Sequence, residues 1–548
     1  MILIDMIRYV KYKNSVRYLR LKMKEQVVPN IIVITGAYPD IGKGTFTSSL
    51  AYLIKSHGYK VAPIKFDGYL NASSGTMNPY HGRLESAYSD EEVFVLEDGY
   101  EGDADSGYYE RFLHDAFMNE SNISNGRLFG KLAQQEKDGK LRHGEVLNYR
   151  ALRDLLEEWI LCEAKNNDFT FVEIGGTIGD KDSEILFDCL NLLKSRRKAR
   201  VFSIMLSPYL KKSSDIGTEL SFRSKITRQA FEKSWRQGLM PDTIVMRVSD
   251  KKIVKNDLEY LELETGLNES NDVYVDPDLP TIYDLPDILE EQGLSRRILA
   301  YFGKKAKRAT EKRIHKYAEK LRFISRKPAL NIAVFGKSVS DDSYVSLREA
   351  VQHAGVEVGI NSQIVWLDDE KNWQKALKTC RGLIIGESLR FIPEKLQAIQ
   401  LARTKNIPTL AISFGCDLLV KEYFEHVLKK RISIEELKEP PEEYAIYKSD
   451  MVIGKRRLLT MPESKHYSPT SFPERFRTNS KIGIEIARAL DNSILKPIIF
   501  SLNKDEVLGV EHFGYPFYVG VKFHPEFISH PMYPHPLFTK LFQVMIGK

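Results

Sequence analysis

A β-branched run, Ile31 to Thr35, ends in Gly36, and a helical pattern carried by Phe46, Leu50, Leu53 and Ile54 starts just past Gly44. Strand, glycine loop, helix is the order these signals give. A second apolar run, Lys60–Phe66, follows at the distance that closes a βαβ unit. Two strands joined by a crossover helix must lie parallel. Later runs at Thr170–Ile174, Val201–Leu206 and Thr243–Val248 alternate with helical stretches, so the same geometry repeats into a parallel sheet covered by helices. The fold class is α/β.

At 548 residues the chain is too long for a single hydrophobic core, and the sequence marks where a second one starts. From Lys304 to Lys327 it is basic, helical in pattern and free of glycine, and Pro328 ends it. Asn331–Phe335 then opens a new strand, and runs at Gly382–Ile385, Thr409–Ser413 and Phe517–Phe523 outline another α/β domain. The expected organisation is a basic extension over 1–28, a first domain over 29–303, a helical linker over 304–328 and a second domain over 329–548.

The extension carries seven Lys or Arg against Asp5 and Glu25. Its tyrosines and single serine fit a transit peptide poorly, which leaves a basic helix on a partner or membrane surface, or a surface helix docked on its own domain. The chain as a whole sets 80 basic against 74 acidic residues, a net charge of +6, too mild to point to nucleic acid. Charged residues interrupt every apolar run, so no membrane-spanning segment is expected. Cys162, Cys189, Cys380 and Cys416 are far apart in sequence, with no C-x-x-C pairing. That argues against a zinc site or disulfide scaffold and for a reducing cytoplasm.

The loop Gly36-Ala37-Tyr38-Pro39-Asp40-Ile41-Gly42-Lys43-Gly44-Thr45 has the setting of a nucleotide phosphate loop. Glycines let backbone N–H groups approach phosphate oxygens, the helix N-terminus adds positive partial charge, and Lys43 offers a point charge to the outer phosphates. The spacing departs by one residue from G-x-x-x-x-G-K-[ST] and puts Gly44 after the lysine; a structural glycine turn would use the same residues. Acids face this loop in the sequence. Asp105 ends an acidic stretch that starts at Glu97, and Glu173 lies near the C-terminal end of a buried strand, the end at which open α/β sheets bind ligands. A buried acid there calls for a cation. Mg²⁺ bridging ATP phosphates, with Asp105 and Glu173 as oxygen ligands, accounts for both.

Taken in order, ITGAYPDIGKG, IKFDGYLNASSGTMNPY, EEVFVLEDGYEGDADSGYYERF, FVEIGGTIGD, LSPYL and QGLMPDTIVMR resemble the amidoligase domain of CTP synthase. AVFGKSVSDDSYVSLREAVQHAG, RFRTN and YPFYVGVKFHPEFISHPMYPHPLF resemble the class I glutamine amidotransferase half of the same family. The resemblance implies a P-loop-type parallel-sheet domain followed by a flavodoxin-like amidotransferase domain, assembled as a homotetramer and capable of filaments. It also implies transfer of a phosphoryl group from ATP to O4 of UTP and displacement of that group by ammonia. By motif, Gly36, Gly42, Lys43, Gly44, Thr45 and Asp105 would bind ATP, Lys65 would stabilise the phosphorylated intermediate, and Asp105 and Glu173 would hold Mg²⁺. Asp180, Asp182, Arg223, Lys225 and Arg228 would contact the nucleotide substrate.

The chain departs from the family pattern at specific places. Where the amidotransferase turn G-I-C-L-G-M-Q supplies its cysteine nucleophile, Ala411-Ile412-Ser413-Phe414-Gly415-Cys416-Asp417 puts Ser413, with Cys416 three residues on. A serine hydroxyl is a far poorer nucleophile than a thiolate prepared by His. The oxyanion loop G-G-F-G becomes Gly386-Glu387-Ser388-Leu389, while His524 and Glu526 of the H-P-E motif remain. An insertion, Arg83 to Glu91, follows the GTM-x-P segment, and the stretch from Glu145 to Ala151 has lost its match. Together these give an ATP- and Mg²⁺-dependent amidoligase that acts on UTP or a similar pyrimidine nucleotide and takes ammonia or another amine without hydrolysing glutamine. The rival reading is a catalytically inactive paralogue that binds nucleotide and regulates an active synthase.

Overall fold

The computed structural model describes residues 28–76, 93–140, 149–213, 220–222, 224–249, 253, 255–268, 272–307, 312–335, 344–367, 372–386, 392–435, 444–469 and 473–547. In the first domain, β1 (Asn30–Gly36), β2 (Val61–Asp67), β5 (Asn122–Ser124), β6 (Phe169–Ile174), β7 (Arg200–Pro208), β10 (Thr243–Val248) and β11 (Val273–Pro277) form one parallel sheet in the order β11-β10-β7-β1-β6-β2-β5. Two short antiparallel hairpins stand outside it, β3 (Phe94–Val95) with β4 (Glu101–Gly102), and β8 (Lys211–Ser213) with β9 (Leu220–Phe222).

The sheet is covered on both faces because its central strands are apolar on both. Ile31 and Val33 of β1 pack with Ile64, Val172 and Leu156 on one side. Ile32 and Ile34 pack on the other side with Phe46, Leu50, Leu53 and Ile54 of the helix Lys43–Ser56. The helical spacing in the sequence is therefore the stripe that docks.

In the second domain an eleven-stranded mixed sheet runs β13-β12-β14-β15-β22-β21-β19-β17-β16, with β20 pairing β21 and β18. Its strands are β12 (Ala329–Phe335), β13 (Asn361–Trp366), β14 (Leu383–Ile385), β15 (Thr409–Ile412), β16 (Ile432–Glu435), β17 (Tyr444–Lys455), β18 (Leu458–Thr460), β19 (Arg475–Gly483), β20 (Leu495–Ser501), β21 (Glu506–His512) and β22 (Tyr518–Val521). Alternation along β12 sends Ala333 and Phe335 to one core and Ile332 and Val334 to the other.

The stretch expected to be helical from Lys304 to Lys327 is shorter, with a helix over Arg313–Ile324. Side chains from just past the helix Lys43–Ser56 claim the backbone before Arg313. Tyr59 OH donates to the carbonyl of Lys305 at 2.8 Å, and His57 Nδ1 lies 2.6 Å from that of Lys307.

The two domains meet across the β3–β4 hairpin. Phe94, Val95 and Leu96 cluster with Phe527, and the buried Arg475 guanidinium bonds the carbonyl of Val95 and the Glu110 carboxylate, both at 2.9 Å. At the hairpin tip the backbones of Gly99 and Gly454 come so close that a Cβ on Gly454 would lie 2.7 Å from Gly99 Cα. Both residues have φ near 90°, so each position favours glycine twice over. Among the described residues no helix is long and apolar enough to cross a membrane.

Candidate active site

Gly42 caps the phosphate-loop helix with φ 86° and ψ 30°, a left-handed conformation open to glycine without strain. The turn delivers Lys43 to the first helical position, where its ammonium donates to the carbonyl of Gly176 at 2.9 Å. Thr45 Oγ1 donates back to the carbonyl of Gly42 at 3.0 Å. Gly44 is needed for a different reason: a Cβ there would lie 1.7 Å from Asp105 Oδ1, so only glycine lets the acid reach the loop.

Strand register gathers the remaining charges. Lys65 of β2 lies opposite Glu173 of β6, and its ammonium bonds Asp105 and, at 3.0 Å, Glu173 Oε1. Asp67 Oδ1 is 4.0 Å from the same nitrogen. Tyr109 OH holds the other Glu173 oxygen at 2.6 Å. Asp105 arrives on the first turn of the helix Ala104–Leu113, whose N-cap Asp103 accepts from the Asp105 N–H at 2.8 Å. An Asx cap of this kind fixes the entry of the helix, and through it the position of Asp105.

Burial opposes the charge on Lys65, yet Asp105 and Glu173 outweigh it and hold the ammonium well above the ordinary lysine range. Burial, followed by repulsion from Lys65, pulls Lys43 down. Burial raises Glu173 and Asp67 and pushes Asp103 up to about 8. For Asp105 burial is outweighed by Lys65, so this carboxyl sits low. All of these residues line one cavity of about 370 Å³ together with Asp40, Ile41, Ser74 and Gly175. Five acidic side chains (Asp40, Asp67, Asp103, Asp105 and Glu173) therefore line the cavity with two lysines, and burial favours the neutral form of Asp67, Asp103 and Glu173. Oxygen donors are what a hard divalent cation takes, and among the described residues no group of three or more His, Cys, Asp or Glu is arranged to hold a metal ion by itself. The phosphate loop and two lysines suit an anion.

The site residues expected from the sequence divide into four groups. Gly42, Lys43, Gly44, Thr45, Lys65, Asp105 and Glu173 line the cavity, and Gly36 sits beneath it against the Lys43 stem. Asp180 accepts from the Thr177 N–H at 2.6 Å, and Asp182 packs on Gly68; neither is among the residues lining the cavity. Lys225 and Arg228 are exposed on the helix Lys225–Arg236, with Arg228 3.7 Å from Glu264. Arg223, Glu387, the insertion Arg83–Glu91, residues 1–27 and residues 145–148 lie outside the described residues. Asp67, Asp103 and Tyr109 were not assigned from sequence. Their signals were present, in an acid two residues past Lys65, a D-x-D spacing and the YERF segment.

Gly44→Ala should push Asp105 out of the cavity and lower nucleotide turnover by up to about a hundredfold, since displacing a reacting or positioning group by about 1 Å carries penalties of this order. Steady-state kinetics with an unchanged melting temperature would support the placement of Asp105; wild-type turnover would contradict it.

The second domain holds a smaller constellation. Ser413 stands between β15 and the helix Phe414–Tyr423 with φ 54° and ψ −117°, the strained strand-to-helix geometry of a nucleophile elbow. His524 Nδ1 is 2.8 Å from Glu526 Oε1. Ser413 Oγ donates to the carbonyl of Arg477 at 3.3 Å, and His524 Nε2 lies 3.1 Å from that same oxygen. Each ring nitrogen of His524 thus faces a protein oxygen, and the Arg477 carbonyl that faces Nε2 also accepts from Ser413. Cys416 is fully buried against Gly520, and burial, with the Asp417 charge beside it, pushes its thiol up. Asp417 is tied to the Lys522 ammonium at 2.7 Å and to Ser480, all deep in the core.

Residues 30–303 match the family model described as CTP synthase N-terminus, and residues 339–544 match glutamine amidotransferase class-I. A CTP synthase of Pelagibacter ubique is 31% identical over 93% of this chain and 97% of the relative. One from Thermotoga maritima is 30% identical over 94% and 99%. The glutaminase domain of Trypanosoma brucei CTPS with bound acivicin is 24% identical, covering 40% of this chain and 94% of that structure with a TM-score of 0.36.

Proposed function

The chain belongs to the CTP synthase family, and from that premise we propose that it is an ATP- and Mg²⁺-dependent ligase that activates O4 of UTP or a related pyrimidine nucleotide and exchanges it for ammonia or another amine, without hydrolysing glutamine. The observation that carries the first half is the convergence of Lys43, Lys65, Asp105 and Glu173 on one cavity behind a phosphate loop. The nucleotide O4 attacks the γ-phosphorus and ADP leaves; the amine then adds at C4 and phosphate departs as the added nitrogen loses a proton. Phosphoryl transfer of this kind is driven by positioning and charge neutralisation.

Lys43, anchored on the Gly176 carbonyl, directs its charge toward the outer phosphates. Lys65 is poised beside Asp105 and Glu173 to meet the negative charge that develops on the transferred group. Asp105 and Glu173 would hold Mg²⁺, which would supply a fixed positive charge against the phosphates. Tyr109 keeps Glu173 from rotating, and Asp103 keeps Asp105 at the mouth of the loop.

The second half rests on the Arg477 carbonyl, which engages both Ser413 and His524, and on the burial of Cys416. Purified protein is expected to release no ammonia from glutamine and to resist a thiol-directed glutamine analogue; mass spectrometry showing covalent label on Ser413 or Cys416 would refute this. Incubation with UTP, ATP, Mg²⁺ and an ammonium salt at raised pH, where more nucleophilic NH₃ is present, should yield an aminated pyrimidine nucleotide. If no nucleotide or amine stimulates ATP consumption, yet the protein co-assembles with an active synthase and alters its rate, the regulator reading replaces this one.

A further inference from the structure

Arg477 belongs to two sites at once. Its main-chain carbonyl meets Ser413 and His524 in the second domain, while its guanidinium crosses to the first domain and donates from Nε to Glu101 Oε1 at 2.9 Å. Glu101 is buried, 5% exposed, and its carboxylate lies so close to the Ser74–Thr76 turn that a Cβ on Gly75 would be 2.0 Å from Oε2. Ser74 lines the phosphate cavity. Two residues beyond Glu101 stands Asp103, whose cap holds the Asp105 N–H. The β3–β4 hairpin is pinned on its other strand as well, by Arg475 on the Val95 carbonyl. The segment that carries Asp105 is thus fastened from the second domain.

We propose that Arg477, acting through Glu101, is a positioning residue for the phosphoryl-transfer step: it fixes the Glu101–Asp105 segment and the Ser74–Thr76 wall against the phosphate loop. A part-buried charge-assisted hydrogen bond is among the stronger single restraints available to a short two-residue strand. The β3–β4 pair has only two residues on each strand, too little ladder to hold itself. Its order must come from what docks on it. The role in turnover rests on the ligase reading above; the mechanical restraint does not.

The test uses the full-length protein carrying Arg477→Met, which keeps the main-chain carbonyl and the side-chain bulk, together with Glu101→Gln and the double variant. Amide hydrogen exchange without nucleotide should rise about tenfold across Glu101–Ser106 in Arg477→Met, with the helix Lys43–Ser56 little changed, and the melting temperature lost by stranding Glu101 should return in the double variant. Turnover of ATP should fall about tenfold in kcat, KM for ATP should shift less than threefold, and the double variant should be no worse than Arg477→Met. Arg477→Lys should recover part of both readouts. Exchange that is unchanged in Glu101–Ser106, or raised equally over the whole domain, overturns the proposal. So do single-variant effects that multiply in the double variant. If the wild-type chain turns over no nucleotide, the ligase reading fails by itself, and the exchange measurement still decides whether Arg477 fixes the segment.

Discussion

Lys43→Ala is expected to lower nucleotide-dependent ATP turnover by about a hundredfold while the protein stays folded. Removing one charge contact from a phosphoryl-transfer site costs on the order of 3 kcal/mol of transition-state stabilisation. The fold should tolerate the change because Lys43 makes its hydrogen bond to a main-chain carbonyl, and burial already disfavours its charge. Turnover measured with saturating ATP, alongside a thermal melt, separates the two effects. Undiminished turnover would place the ATP phosphates elsewhere.

Lys65→Met is expected to do more damage of a different kind. The side chain is 6% exposed and stands between Asp105 and Glu173; its loss leaves buried carboxylates without their cation, a change that destabilises by about 3–5 kcal/mol. Calorimetry should show a lowered transition for the first domain, and turnover should be lost as well. Combining Lys65→Met with Glu173→Gln should recover stability without recovering turnover, because the second change removes the stranded charge but not the need for a cation at the transferred group. A Lys65→Met protein that melts like wild type would show that the pair contributes nothing.

The pH dependence follows from the directions of the shifts. Lys65 is held above the usual lysine value, so its contribution is complete below about pH 10 and is lost only as pH rises further. Asp105 is held below the usual carboxylate value, so its contribution is complete above about pH 5 and is lost as pH falls. Lys65→Met removes the cation that opposes burial at Asp105 and Glu173, so their protonated forms become favoured and the stability gap between wild type and the variant should shrink as pH falls from about 10 toward about 5.

Much of this protein was legible in its sequence. The β-branched run before Gly36, the spacing of Phe46, Leu50, Leu53 and Ile54, and the later apolar runs depend on local periodicity, and local periodicity is what a strand or helix needs in order to bury a face. The glycine turn at Gly42 and the acids Asp105 and Glu173, which line one cavity, stood out in the sequence for a related reason: glycine at a left-handed turn and an acid at a strand end are costly where they serve no purpose. The Lys304–Lys327 stretch misled because its composition is helical throughout, whereas the carbonyls of Lys305 and Lys307 are taken by Tyr59 and His57 from far along the chain.

Tertiary structure alone decided how the pieces combine. That Lys65 stands between Asp105 and Glu173 follows from the register of β2 on β6, and register is set by pairing across more than 100 residues. That the Arg477 carbonyl lies between Ser413 and His524 while its guanidinium reaches Glu101 depends on the packing of one domain on the other. Sequence determines which side chains are available and the local backbone that presents them. Contacts between distant segments are fixed by the joint burial of both, and no short-range pattern in either segment records the other.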